Sequence, residues 1–445
     1  MRKRKTLLSP AQTIALCFVA VILVGALLLM MPFTSRSGAG LSFVDSLFTA
    51  TSATCVTGLV VVDTWSHFNF FGQFILLVLI QVGGLGYMTL MITAALLIGK
   101  KIGLRQRSTM MESISAQNLS DVAGLARYIL FGTLAIEGCG AVLLALRFVP
   151  EMGFGRGCWY AVFHSISAFC NAGFDLMGFR SPFSSLTFYV EDPLVNLTVC
   201  ALILLGGLGF MVWRDLWTNK FHFRKYSLHS KLMLVSSAVL ILGGTILFWL
   251  SERNGVLANL SSGGQVLGAL FQSVTARTAG FNTVDLASLS GSGSLLMLVL
   301  MFIGAGPGST GGGVKITTVV VCLLSLFSYA RGKRETSVFN RRLDDNQIKR
   351  SAAGVTLYFV FAMAGCYLLT VQQPFALVDA LFEIFSALST VGLTTGVTQQ
   401  LNSVNKMLLI LMMYAGRIGS LTMIMAVVER LPARVKDPIE HIVIG

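Results

Sequence analysis

The sequence predicts an all-α membrane protein of four tandem units, each a helix, a re-entrant segment and a second helix, disposed pseudo-fourfold about one axis. Three observations predict it. Of 445 residues, 54% are apolar and only 12% charged, so most of the surface must face something other than water. Eight apolar runs are long enough for helices to cross about 30 Å of hydrocarbon. One short motif returns four times at nearly constant spacing.

The first apolar run, from about Ala11 to Pro32, follows "MRKRK". It exceeds the usual length of a cleaved signal core and is read as a retained helix. The motif then begins at Phe48 with F-x3-SA and ends at Gly58. It recurs as "FHSISAFCNAG" from Phe163 to Gly173, "FQSVTARTAG" from Phe271 to Gly280 and "FEIFSALSTVG" from Phe382 to Gly392. The glycines stand 115, 107 and 112 residues apart. This divides the chain into units at 8–100, 121–218, 228–330 and 350–429, with a tail at 430–445. The second apolar run of a unit ends as "GGLGY", "GGLGF" or "GRIGS" in the first, second and fourth units, and as "GAGPGSTGGGVK" in the third.

Charge sets the orientation. Of 33 Lys and Arg, 24 fall in alternate connections and six in the opposite ones, which is the positive-inside pattern and predicts two cytoplasmic termini. The net charge of +13 therefore does not argue for nucleic acid, since no basic face is interleaved with aromatics. The eight cysteines are scattered without metal-type spacing and are read as free thiols.

A motif segment of about ten helical residues reaches only about 15 Å and must dip in and return. Non-helical backbone at that depth has to be buried in protein or line a watery cavity. Four such loops in parallel repeats surround one axis, an arrangement that makes a pore. A short helix entering from outside points the negative end of its dipole at the centre, which favours a cation. The extended residues behind it offer carbonyl rings that replace the hydration shell of an alkali ion. The candidate filter is Val56, Thr57, Gly58, Asn171, Ala172, Gly173, Thr278, Ala279, Gly280, Thr390, Val391 and Gly392.

With "STVGL", "RTAGF" and the late "GRIG", these loops resemble the Ktr/Trk/HKT superfamily of potassium transporters over essentially the whole chain. Eight long apolar runs without an additional N-terminal pair resemble the Ktr-type membrane subunit most. The resemblance implies K+ as transported ion in a cell membrane, Na+ as possible modulator, and no covalent cofactor. It also implies a homodimer with one pore per subunit and a cytosolic, KtrA/KtrC-like ring of nucleotide-binding subunits that alone carries nucleotide. Glycine at all four filter positions implies potassium selectivity. The basic segments Arg214 to Lys231 and Arg331 to Arg350 are candidate docking surfaces, with contact to the bilayer surface as the alternative.

Below the filter, the stretch with Gly304, Gly306, Gly308, Ser309, Thr310, Gly311, Gly312, Gly313 and Lys315 is composed mostly of poor helix formers and is expected to break its helix. It is not a phosphate-binding loop, because Val314 separates Gly313 from Lys315 and neither a preceding strand nor a following Ser/Thr is in place. The family resemblance implies an obstruction moved by the cytosolic partner. Arg417 takes the place of Gly84 and Gly207 and, on a helix starting near Asn405, would lie about 18 Å down it. It is expected to be an electrostatic plug, with snorkelling toward the cytoplasm or a lipid headgroup as the alternative; in the resembled family the matching arginine lies in the pore. Arg277 is expected to pair with Glu383 behind the filter. A coupled symporter would need deep carboxylates, of which Glu137 is the one found in a long helix. A membrane enzyme would need a partner for His164, and none is spaced for it, so the chain is read as a non-enzyme.

Overall fold

The computed structural model describes residues 10–86, 122–220, 222–333 and 335–419. Four helices in it are long and apolar enough to cross a membrane: α1 (Pro10–Leu29), α4 (Val122–Met152), α8 (Leu228–Glu252) and α12 (Asp345–Gln372). Each of these long helices carries outward-facing apolar side chains, among them Val24, Val142, Leu242 and Val371, which lie exposed. Such a face is stable only against lipid or another apolar partner.

After each long helix comes a short one: α2 (Phe43–Thr54), α5 (Phe154–Phe169), α9 (Ser262–Thr275) and α13 (Leu377–Ser389). They have 12 to 16 residues instead of the ten expected, because each starts several residues before its motif phenylalanine. A length of about 18–24 Å still falls short of the hydrocarbon thickness. The motif residues Phe48, Phe163, Phe271 and Phe382 are all fully buried. Lipid is as apolar as a core, so this burial reflects close packing more than flight from water.

The second helices are α3 (Phe70–Leu85), α6 (Pro193–Leu208), α10 (Gly291–Phe302) and α14 (Ser403–Ile418). Side-chain caps at Asn69, Asp192, Ser290 and Asn402 satisfy their first amides. Three of them stop at a left-handed glycine, Gly86, Gly209 or Gly419, with φ of 77°, 96° and 91°. After Gly209 the chain turns by 97° into α7 (Phe210–Asn219). After α10 it runs without helix to α11 (Ile316–Ala330). A two-residue ladder between β1 (Ser337–Val338) and β2 (Arg341–Arg342) precedes α12.

Packing between units is cyclic. Helix α3 lies on α5, α6 on α9, α10 on α13, and α14 returns to α2. The return contact is secured by Lys406 Nζ on Asp45 at 2.6 Å and by the Tyr414 hydroxyl donating to the Ala15 carbonyl at 2.9 Å. The expected C-terminal tail and the polar link after the first unit lie outside the described residues.

Candidate functional site

Each short helix ends in the same backbone signature. Val56 and Gly58 take positive φ of 50° and 94°, and the same pattern recurs at Asn171 and Gly173, Thr278 and Gly280, and Thr390 and Gly392. A left-handed non-glycine residue is uncommon, so four at matched positions mark a backbone held in place by its surroundings. Glycine at the second position has a further cause. A Cβ built on Gly58 would lie 2.6 Å from the Ala172 oxygen, on Gly173 2.7 Å from Ala279, on Gly280 2.4 Å from Val391, and on Gly392 2.2 Å from Thr57. Each glycine thus abuts the carbonyl of the next unit, and the fourth closes on the first. The oxygens of Thr57, Ala172, Ala279 and Val391 are thus linked in a closed ring of close contacts, one from each unit.

The hydroxyl residue of the motif braces this ring from behind, a role that sequence reasoning missed. The carbonyls of Ser52, Ser167 and Ser386 accept the amides of Thr57, Ala172 and Val391, each at 2.8 Å, and Thr275 accepts that of Ala279 at 2.9 Å. The third copy has one residue fewer, so its turn spans four residues where the others span five. The Oγ atoms of Ser52 and Ser386 accept the Gly58 and Gly392 amides at 3.1 and 3.0 Å. Those of Ser167 and Thr275 donate to the Phe174 and Phe281 carbonyls at 2.7 and 2.6 Å. The signal was the invariant spacing from phenylalanine to Ser or Thr within the motif.

The second helices come equally close. A Cβ on Gly83, Gly206 or Gly416 would lie 1.9 Å from the oxygen of Thr54, Phe169 or Leu388. This is why the last turn of each of these helices has glycine where it meets the end of a short helix.

Directly against the ring lies the 303–315 segment. A Cβ on Gly311 would meet Thr278 Oγ1 at 2.2 Å, and one on Gly312 would meet Thr390 Oγ1 at 2.3 Å. The Gly312 amide donates to Thr390 Oγ1 at 3.1 Å. Thr310 donates through its amide to Gly206 O at 3.2 Å and through its hydroxyl to Phe169 O at 3.1 Å. Two tethered cations hold the segment's own carbonyls. Lys315 Nζ donates to Gly311 O at 2.7 Å and Gly312 O at 3.3 Å. Arg417 donates to Thr310 O and to Gly83 O, and reaches Gly84 O at 3.3 Å. The segment from the third unit therefore touches the second and fourth, and Arg417 of the fourth bridges it to the first.

Arg417 is the fifteenth residue of α14, which begins at Ser403, so it lies about 21 Å along the helix instead of 18 Å. The expected Arg277–Glu383 pair does not form. Glu383 accepts from Thr394 at 2.8 Å and from Thr398 within its own unit, while Arg277 lies past the end of α9 and lines a small cavity with Gly304 and Gly306. His164 is fully buried, with Nδ1 2.7 Å from the Tyr160 carbonyl and Nε2 accepting the Leu176 amide at 3.3 Å. Glu137 accepts from Gln81 at 3.1 and 3.2 Å. Beyond the ring, Asp175 accepts the Met177 amide at 2.9 Å. Burial, helped by the charge of Asp63 and opposed by the Met177 hydrogen bond, pushes its carboxyl up to about 7.

The cycle is made of peptide groups, and Thr57, Ala172, Ala279, Val391 and the four glycines carry no titratable carboxylate, imidazole, amine or thiol. Relatives agree with an ion-handling chemistry. The chain is 40% identical to the "Potassium/sodium uptake protein NtpJ" of Enterococcus hirae, covering 100% of this chain and 99% of the relative. It is 41% identical to the "Ktr system potassium uptake protein B" of Vibrio alginolyticus (97% of this chain, 94% of the relative) and 40% identical to that of Bacillus subtilis (97% and 95%). The crystal structure of the potassium transporter TrkH from Vibrio parahaemolyticus shares the fold with a TM-score of 0.74 at 20% identity, over 96% of this chain and 87% of that one. The family model "TrkH: Cation transport protein" matches residues 7–435; the chain belongs to this family of ion transporters, which are not enzymes.

Proposed function

We propose that the chain is the ion-translocating membrane subunit of a potassium uptake system, conducting K+ passively through a filter made by the four glycine segments. The observation that carries this reading is the closed cycle in which each glycine abuts the next unit's carbonyl. A dehydrated alkali cation needs several oxygens at once, and the cycle supplies one from every unit. The names of the relatives, potassium uptake proteins at about 40% identity, support K+ as the ion. In this reading the chain divides into four repeats with both termini cytoplasmic.

The 303–315 segment is the gate. It crosses the space beside the ring, and its carbonyls are occupied by Lys315 and Arg417, so a potassium ion would meet fixed positive charge there. A cytosolic nucleotide-binding ring moves it, and two copies of the chain assemble as a dimer. The basic segments supply one docking face for that ring: Phe223 and Phe339 meet edge to face at 6.2 Å, bringing the second and third connections together.

The test is ion flux from the purified chain in liposomes, with K+ and Na+ compared. Potassium flux that follows the electrochemical gradient alone is expected. Uphill movement coupled to a second ion would replace the channel with a symporter, and equal Na+ and K+ flux would favour the mixed transport named for the Enterococcus relative.

A further inference from the structure

Three cations lie near the ring or the segment beneath it: Arg277, Lys315 and Arg417. Lys315 and Arg417 are met by backbone carbonyls. Arg277 is the exception. It is only 8% exposed, its Nε is buried with no hydrogen-bond partner, and it makes no ion pair among the described residues.

Arg277 lines a small cavity together with Gly207, Met233, Ser237, Gly304 and Gly306. The space for the centre of a water-sized occupant is about 10 Å³, the lower bound for one water, so a halide enters only if a wall yields. A guanidinium cannot shed its proton to escape the cost of burial. Water would satisfy Nε but leave the charge uncompensated, whereas an anion answers both needs. The two deep carboxylates that could have helped are engaged elsewhere, Glu137 with Gln81 and Glu383 with Thr394 and Thr398. An unbalanced positive field beside a path for cations also opposes their entry. Met233, an unbranched and adaptable side chain, forms one wall and lets the cavity admit an ion slightly larger than water.

We propose that this cavity binds one chloride-sized anion on Arg277, and that the anion steadies the Gly304–Gly306 end of the segment. The binding stands independently of the transport reading and is tested without flux. Crystals of the full chain grown in bromide are expected to show an anomalous peak in the cavity. The solubilised chain is expected to melt roughly 2–4 °C higher in chloride or bromide than in gluconate at equal ionic strength. Arg277→Met should abolish that difference and Arg277→Lys should keep part of it. No bromide peak in the cavity, equal melting in all three salts, or a halide effect undiminished in Arg277→Met would each overturn the proposal. If Arg277→Met does not fold, the bromide map of the unaltered chain decides.

Discussion

The glycine ring and the segment beneath it are both irregular backbone in contact with each other, yet they are held differently. The ring is braced from behind by neutral hydroxyls and amides at four matched places. The segment shares neutral bonds of this kind, through Thr310 and the Gly312 amide, but adds two charged side chains that grip its carbonyls. Neutral hydrogen bonds fixed by helix ends leave the braced part no alternative partners. A cation on a carbonyl can be exchanged for another cation or for water. On the proposed reading, the difference teaches which part is built to stay and which to let go.

The ring should be broken most severely by adding a single carbon to it. Gly392→Ala combines left-handed backbone with a Cβ 2.2 Å from the Thr57 oxygen. A strain of about 2 kcal/mol or more, hence roughly thirtyfold in occupancy of the native geometry, is expected. Potassium flux in liposomes should fall by at least that factor, and normal flux would show that the ring does not touch the ion. Gly58→Ser, with the oxygen of Ala172 2.6 Å away, should lose preference for K+ over Na+, measured as the ratio of the two fluxes.

Removing a tethered cation should act in the reverse direction. Arg417→Ala frees the Thr310 carbonyl and is expected to raise flux about tenfold, as loss of a charge-assisted bond of roughly 1.5 kcal/mol implies. Selectivity should be unchanged. Lys315→Met should do the same to a smaller degree, and the double variant should be non-additive because both act on one segment. Reduced flux in either variant would mean the cations support the path instead of blocking it.

Much of this contrast was legible in the amino-acid order. Gly58, Gly173, Gly280 and Gly392 recur at nearly constant spacing, and each meets a neighbouring carbonyl that leaves no room for a Cβ, so their places could be read from the motif. The broken third helix was equally plain from the run between Gly304 and Gly313. Side-chain direction was not legible. Arg277 and Glu383 are close enough in pattern to suggest a pair, but Arg277 follows the end of α9, where the chain turns, and Glu383 finds nearer hydroxyls in Thr394 and Thr398. Lys315 folds back on residues only three and four positions earlier, a contact that composition cannot distinguish from snorkelling.

A weaker effect sharpens the comparison further. Ser386→Ala removes the acceptor of the Gly392 amide at 3.0 Å and leaves a buried N–H unpaired, at a cost of about 1–1.4 kcal/mol. A fivefold to tenfold loss of K+ over Na+ preference is expected from the flux ratio, with total flux changing less. The smallest effect concerns the approach to the ring. Asp175, raised to about 7, is neutral below that pH and gains its charge above it. Flux should rise about twofold as external pH passes upward through 7, and Asp175→Asn should flatten the profile while leaving its low-pH limit in place.

Arg417 is present in one quarter of the molecule, where the first and second quarters have Gly84 and Gly207. In an assembly of four identical chains, any such residue would arrive in quadruplicate and pack the axis with like charges. Writing all the walls into a single polypeptide removes that multiplication. On the proposed reading, conduction can be tuned in increments of one elementary charge, and each wall can drift by mutation while its three siblings keep the shared geometry.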